Sequence, residues 1–413
     1  MAEIFSFRGV SYSNERFGKD ITDLITQPYD KITDEMKAQY YARHPKNFVR
    51  IVLGKKYPND DEYFNYYTRA AGYLQCWLSD GTLVAHRQPA IYAYHQVFNV
   101  DGREIVRRGF VALAKLEAPG KGVKAHEKTL AGPKADRLNL MRHIRAQVGH
   151  IFMLYSDPTH TADDALEKAI NGREPDFIAK DWFQNEHRIW AVTDEQTINT
   201  VRGALLEKTL FIADGHHRYE TAVNYWQECQ KKGLKPEPNA TETFENRMMT
   251  FVNLDDPGLI ILPTHRVVHS VQDFNVQRFI EQVEQNFAVE VFPIACEGCI
   301  RGKFNEAMAK MEAMGEQGKH SFVFVPRDAK AYYLLTLKDE TIMNKAITEP
   351  VSDEWKKLDV SILHKLILEN LLGIDSKALE EKRNLYYIRD KEAGFEYFEK
   401  NPAVQCEIGR AHV

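Results

Sequence analysis

The chain has 413 residues, 44% hydrophobic and 27% charged, with 54 Lys and Arg against 59 Asp and Glu for a net charge of −5. That length exceeds one ordinary core and predicts two domains, and so mild a charge excludes a chain built throughout to bind polyanions. No run is long and apolar enough to suggest a membrane span, and "MAEIFSFRGVSYSNERFGKD" lacks the basic-then-apolar order of a secretory leader, so a cytoplasmic protein without a membrane partner is expected.

In chain order, Gln27-Pro28-Tyr29-Asp30 is a turn-type cluster, because Pro fixes φ and pushes the residue before it to extended backbone. "NFVRIVLG" alternates well enough for a strand, and a helix is predicted from about Glu62 to Leu78. Two strand-like runs flank Asp101-Gly102, a hairpin signal. The polar stretch "PGKGVKAHEKTLAGPKADR" reads as a long loop, and loops of that length in compact domains tend to be functional. "DRLNLMRHIRAQVG" reads as a helix, "HIFMLYSD" and "HRIWAVTD" as strands, and "DEQTINTVRGALLEK" as a helix.

"TLFIAD" is then a strand, and the helix after it is expected to begin near Tyr219. "RMMTFVNLDD" and "GLIILPTHRVVH" read as strands around a "DDPG" turn. From about Ser270 the texture shifts to long polar helices and exposed strands, and "DVSILHKLILENLLG" is a strong amphipathic helix. The fold class is therefore α/β in the mixed α+β sense. A catalytic domain is expected over 1–268 and a smaller α+β domain over 269–406.

The five cysteines are sparse and odd in number, which fits a reducing compartment. "CEGC" (Cys296 to Cys299) has metal-like spacing but no second half-site at zinc-finger distance. The last seven residues, "EIGRAHV", can be encoded by GAG ATC GGA AGA GCA CAC GTC, which resembles a short-read sequencing adapter. Residues 407–413 are read as foreign, the native chain is expected to be longer, and no function is argued from them.

Two constellations carry chemistry. In Asp214-Gly215-His216-His217-Arg218, an apolar strand hands over to a helix, whose free N–H groups and partial positive charge favour anions. Arg218 and the two imidazoles add donors for phosphate oxygens, and Asp214 suits Mg²⁺ or a proton from an attacking hydroxyl. The bland alternative is an Asp cap on a solvated turn. Zinc on the His pair ranks lower, since adjacent His side chains seldom reach one metal and no HExxH motif is present.

The second constellation is "HEKTLAGPKADR", with His126, Glu127, Lys128, Thr129, Lys134, Asp136 and Arg137. It combines cations for phosphate with carboxylates for Mg²⁺ or base work, and it is not a Walker P-loop. A solvated basic loop is the competing reading. Weaker signals are Tyr29 with Asp30, Asn47 with Arg50, and His265-Arg266 at a strand end. Cationic groups with a few carboxylates suit phosphoryl transfer, where a protein mostly positions groups and neutralises charge.

"QPYDKI", "HPKNFVRIVLG", "HEKTLAGPKADR", "HIFMLYSD", "LFIADGHHRYETAVNY", "LPTHR" and "LDVSILHKLILE" occur in this order in a bacterial and archaeal family catalogued as a domain of unknown function, number one thousand and fifteen, which the chain resembles from about Phe7 to Asp390. "QPYDKI" stands where the family usually has Pro-Pro-Tyr-Asp-Val-Ile, and its closing Lys-Ser-Thr-Tyr-Phe-like segment is missing.

The resemblance implies a pyrophosphate-dependent kinase of free L-serine, a phosphotransferase with an alcohol acceptor, on a ParB/sulfiredoxin-like core with a similar phosphate loop. It implies that His216, His217 and Arg218 hold the donor phosphates and that Asp214 or Glu127 is the base. Lys128, Lys134 and Arg137 would neutralise charge, with His126, Thr129, Asp136, Tyr29, Asp30, Asn47, His265 and Arg266 in support. Mg²⁺ is implied by the chemistry, with ATP or ADP as alternative donors and no metal ligands assigned. Two other classes stay open: a ParB-like nucleotide- or DNA-binding regulator, although no basic helix-turn-helix is found, and a metal-dependent hydrolase.

Overall fold

A computed structural model of the chain describes residues 2–100, 102–117, 122–124, 131–260, 264–327, 330–349, 351–375, 378, 383–388 and 391–410. They form two compact units, 1–259 and 260–413. The expected break after 268 falls inside a strand of the second unit, so His265 and Arg266 belong to that unit's sheet. Among the described residues no helix is long and apolar enough to cross a membrane.

The first unit carries strands β1 (Ile4–Phe5), β2 (Val10–Tyr12), β3 (Leu83–Ala85), β4 (Ile91–Val100), β5 (Arg103–Lys115), β6 (Val123–Lys124), β7 (Ile151–Tyr155), β8 (Phe177–Lys180), β9 (Glu186–Val192), β10 (Leu210–Asp214) and β11 (Asn246–Asn253). Its nine-stranded sheet runs β6-β10-β7-β11-β5-β4-β9-β8, with β1 added on β5. The β7–β11 and β6–β10 pairs are parallel and the others antiparallel, so the class is mixed α+β. The β4–β5 hairpin closes at the Val100–Arg103 pair, and Gly102 takes the positive φ of 76° that the two-residue turn requires.

Alternation along the strands divides the sheet into two unlike faces. Ile91, Ala93, Phe110, Ala112, Met153 and Phe251 pack against apolar residues of the helices Thr161–Ile170, Glu195–Leu205 and His216–Lys231, and together form the main core. The opposite face carries polar groups in its interior. Gln96 stands directly opposite Arg107 on one side and His187 on the other, and Tyr94 lies two residues along β4. A buried face pays for polar groups unless they are satisfied or await a ligand.

Two local expectations are corrected. "NFVRIVLG" does not form a strand: Val49–Val52 is a short helix, because the fully buried Asn47 accepts a hydrogen bond from the Val49 N–H (3.0 Å) and turns the chain. The long polar loop ends earlier than expected, since a helix runs Ala131–Ile144 with Pro133 in its first turn, where its missing N–H costs little. Lys134, Asp136 and Arg137 therefore sit on a helix. His126, Glu127, Lys128 and Thr129 lie outside the described residues.

The second unit holds β12 (His265–His269), β13 (Phe287–Pro293), β14 (Ser321–Pro326), β15 (Ala331–Leu337), β16 (Leu385–Ile388) and β17 (Val404–Arg410) in one antiparallel sheet, order β13-β15-β14-β17-β12-β16. Residues 407–410, read from the sequence as foreign, lie in its central strand. Glu407 is fully buried there, with both carboxylate oxygens lacking a hydrogen-bond partner among the described residues. Cys296 and Cys299 are joined in a disulfide ahead of the helix Ile300–Glu316, so "CEGC" closes on itself and the reducing-compartment reading does not describe this pair.

Candidate active site

The "ADGHHR" turn is built from the end of β10 and the first turn of the helix His216–Lys231. Gly215 has φ 96°, a left-handed value, and a Cβ placed there would lie 3.1 Å from the Arg218 guanidinium. Both facts call for glycine. The Arg218 side chain folds back over it, donating to the Asp214 carboxylate and to the His150 carbonyl. Asp214 is thus the partner of Arg218. The helix cap is Gly215, which makes no side-chain cap bond, and the helix starts at His216, earlier than expected. His216 is buried, while His217 is half-buried and its carbonyl accepts the Thr221 hydroxyl (2.6 Å).

Asp214 and Arg218 line a cavity of about 510 Å³ whose floor is the polar face of the nine-stranded sheet. Its other walls come from the Ile21–Tyr29 segment, Phe48 and the helix Ala131–Ile144. Four guanidinium groups reach it, those of Arg107, Arg137, Arg218 and Arg247, against two carboxylates, Asp181 and Asp214. The balance favours an anion.

Arg247, at the start of β11, is 2% exposed. It donates from Nη2 to the Gly149 carbonyl (2.9 Å), while its Nε and Nη1 have no partner among the described residues. Burial and the neighbouring Arg218 pull its pKa down to about 9. A buried cation with bare donors is costly, and an anion in the cavity would relieve it. His150 has its Nδ1 2.8 Å from the Thr250 hydroxyl; burial first, then Arg218 and Arg247, drive its pKa down to about 4, so the ring is neutral. Arg107 donates to Gln96 and lies over Phe152, 5.1 Å from the ring centroid, and burial lowers its pKa.

The other anticipated residues take distinct places. Arg137 donates to Asp136 (2.9 and 2.5 Å) and to the Val52 carbonyl (2.7 Å), with Tyr29 stacked 4.1 Å from its guanidinium carbon. Asp136 also accepts from the Tyr66 and Tyr67 hydroxyls, so it anchors Arg137 from behind the cavity wall. Lys134 pairs with Glu220 at 2.8 Å, tying two helices. Asn47 is a structural clamp, donating to the Asp23 and Ile25 carbonyls (2.8 and 2.9 Å) and so fixing the segment that ends in Tyr29. Asp30 is exposed. Tyr29, Arg137, Asp214 and Arg218 thus come together at one cavity. The sequence reading missed Arg107, His150, Arg247, Tyr94, His187 and Asp181, which complete its lining.

Among the described residues no group of three or more His, Cys, Asp or Glu could hold a metal ion. Mg²⁺ that travels with a phosphate needs only one or two protein carboxylates, and Asp214 on the cavity wall fits that lesser requirement.

The fold and cavity define a two-unit α+β protein with an arginine-lined cavity in its first unit. The chain belongs to the family described as "Protein of unknown function (DUF1015)", which matches residues 4–361. No curated protein matches it. A solved structure of a conserved hypothetical protein from Pyrococcus furiosus is similar at 13% identity and a TM-score of 0.28, covering 70% of this chain and 76% of that one. The family match corrects the expected likeness to ParB/sulfiredoxin phosphate-loop kinases, since the family that the chain matches is described as one of unknown function. The turn also differs from an open phosphate loop in physical terms, because Arg218 is engaged by Asp214 and the His150 carbonyl.

Proposed function

We propose that the protein is a small-molecule phosphotransferase that moves a phosphoryl group onto the hydroxyl of free L-serine, with pyrophosphate as donor. The observation that carries this reading is Arg247, a buried guanidinium with two N–H groups that lack a partner among the described residues, in the lining of a cavity that three further arginines share. Phosphoryl transfer asks a protein chiefly to position two reactants and neutralise charge spread over phosphate oxygens. Arg247 and Arg218, neighbours at the Gly149-His150 backbone, would hold the donor, and Arg137 would add charge from the helical wall. Asp214 would hold Mg²⁺, which neutralises donor charge when bound. A volume of about 510 Å³ suits two small reactants side by side.

The test is to incubate the protein with L-serine, Mg²⁺ and, in turn, pyrophosphate, ATP and ADP, and to follow phosphorus NMR. O-phosphoserine with pyrophosphate is the expected product. Absence of phosphoserine with every donor sinks the reading.

A further inference from the structure

Three further titratable side chains of the cavity lining lie next to one another. The Tyr94 hydroxyl lies 2.6 Å from His187 Nδ1, and His187 Nε2, which makes no hydrogen bond among the described residues, lies 3.4 Å from Asp181 Oδ2, within ion-pair reach. The Tyr94 and His187 rings stack, with centroids 5.9 Å apart and planes within 8°. All three residues line the same cavity as Asp214, Arg218 and Arg247. They come from separate elements: Tyr94 from β4, His187 from β9 and Asp181 from the turn between β8 and β9. Asp181 is itself held by the Phe183 and Asn185 N–H groups (2.8 and 2.9 Å) and by the Asn185 amide (3.0 Å). Those bonds fix the carboxylate within ion-pair reach of the imidazole. Arg107 of β5, another charged group of the cavity lining, is bonded to Gln96, which stands opposite His187.

We infer that Asp181, His187 and Tyr94 are the proton relay of the acceptor site, with Tyr94 the catalytic residue that touches the substrate hydroxyl and His187 the group that stores its proton. The inference rests on the kinase reading above and replaces Asp214 as the base, since Asp214 is engaged with Arg218. The serine oxygen attacks a phosphorus of pyrophosphate. The new O–P bond forms as the bridging P–O bond breaks, and orthophosphate leaves with the electron pair. The serine hydroxyl proton passes to the Tyr94 oxygen as the Tyr94 proton passes to His187 Nδ1. The resulting imidazolium directs its Nε2–H at Asp181, and the proton returns to water after the products leave. No oxidant or further reactant is required.

A purely structural role, a tie between neighbouring strands, is the competing account, and it predicts no signature in the pH profile. The experiment compares the wild-type full chain with Tyr94→Phe and His187→Gln, measuring phosphoserine formation against pH and pyrophosphate binding by calorimetry. Both variants should lower kcat by about 100-fold, the ordinary yield of general base catalysis, while pyrophosphate affinity stays within about twofold. The rise of kcat with pH on the acid side should vanish in His187→Gln. Retained pyrophosphate binding certifies that each variant is folded around an intact donor site. A variant that fails to bind pyrophosphate is replaced in the comparison by Asp181→Asn, for which the same fall in kcat is expected. Wild-type turnover with an unaltered kcat and pH profile in His187→Gln overturns the relay alone. A wild-type chain that makes no phosphoserine with any donor overturns the kinase reading and the relay with it.

Discussion

Arg247 concentrates the energetic argument in one side chain. Its guanidinium is held by one carbonyl, faces the like charge of Arg218, and keeps two donors bare. A site of this kind is unstable alone and stabilised by its ligand. Pyrophosphate at about 100 times its dissociation constant should stabilise the wild-type protein by about 2.7 kcal/mol, read as a rise in the unfolding midpoint. Arg247→Met should raise the midpoint of the ligand-free protein and abolish the pyrophosphate-induced rise; an undiminished rise in the variant would show that the anion binds elsewhere. Asp214, Arg218, Arg137 and Tyr29 were legible in the sequence because each stands in a polar or turn-forming stretch. Arg247 and Arg107 were not, because each is flanked by strand residues, in "NRMMTFVN" and "EIVRRGFVAL", and acquires meaning only when register brings separate strands to one cavity.

Among the elements, the nine-stranded sheet does most of the positioning. The β4–β5 hairpin was visible at Asp101-Gly102. Strand order was not, since β5 pairs with β11 and β7 with β11 across long stretches of chain. The misread segment "NFVRIVLG" shows the limit of periodicity. Val49 and Ile51 are fully buried, as alternation requires, yet the Asn47 amide supplies a local cap that a strand could not use. The same amide clamps the Ile21–Tyr29 wall of the cavity. Asn47→Ala leaves two carbonyls and one N–H without their partner. It should cost about 2–4 kcal/mol in denaturant unfolding and weaken pyrophosphate binding through a displaced Tyr29–Arg137 pair. A loss below about 0.5 kcal/mol, the level of an ordinary surface change, would refute the clamp.

For the molecule as a whole, acid is the revealing variable. Each unit contains a half-buried histidine held in neutral form, His150 in the first and His364 in the second, both driven down to about 4, mainly by desolvation. The unfolded chain takes up these protons at the ordinary value of about 6.5. Their contribution to stability is therefore complete above that pH and is lost as the pH falls toward 4, at up to about 1.4 kcal/mol per pH unit for each ring. Denaturant unfolding at pH 7, 6 and 5 should show this slope, and His150→Gln should flatten it for the first unit alone. An equal slope in the variant would mean that His150 is already protonated in the folded state.

The position of β17 bears on the order in which the second unit is made. Its neighbours β14 and β12 leave the ribosome long before residues 404–410, yet they pair with that strand and not with each other. Cys406 and Ile408 also belong to the unit's core. Until they arrive, the nascent second unit presents two open strand edges flanking a vacant slot, a template for wrong pairing with other chains. The first unit faces no such delay, because the strands of its sheet are all translated by Asn253. Synthesis therefore delivers the complete first-unit sheet, with its arginine-lined cavity, while the second sheet is still waiting for its middle strand.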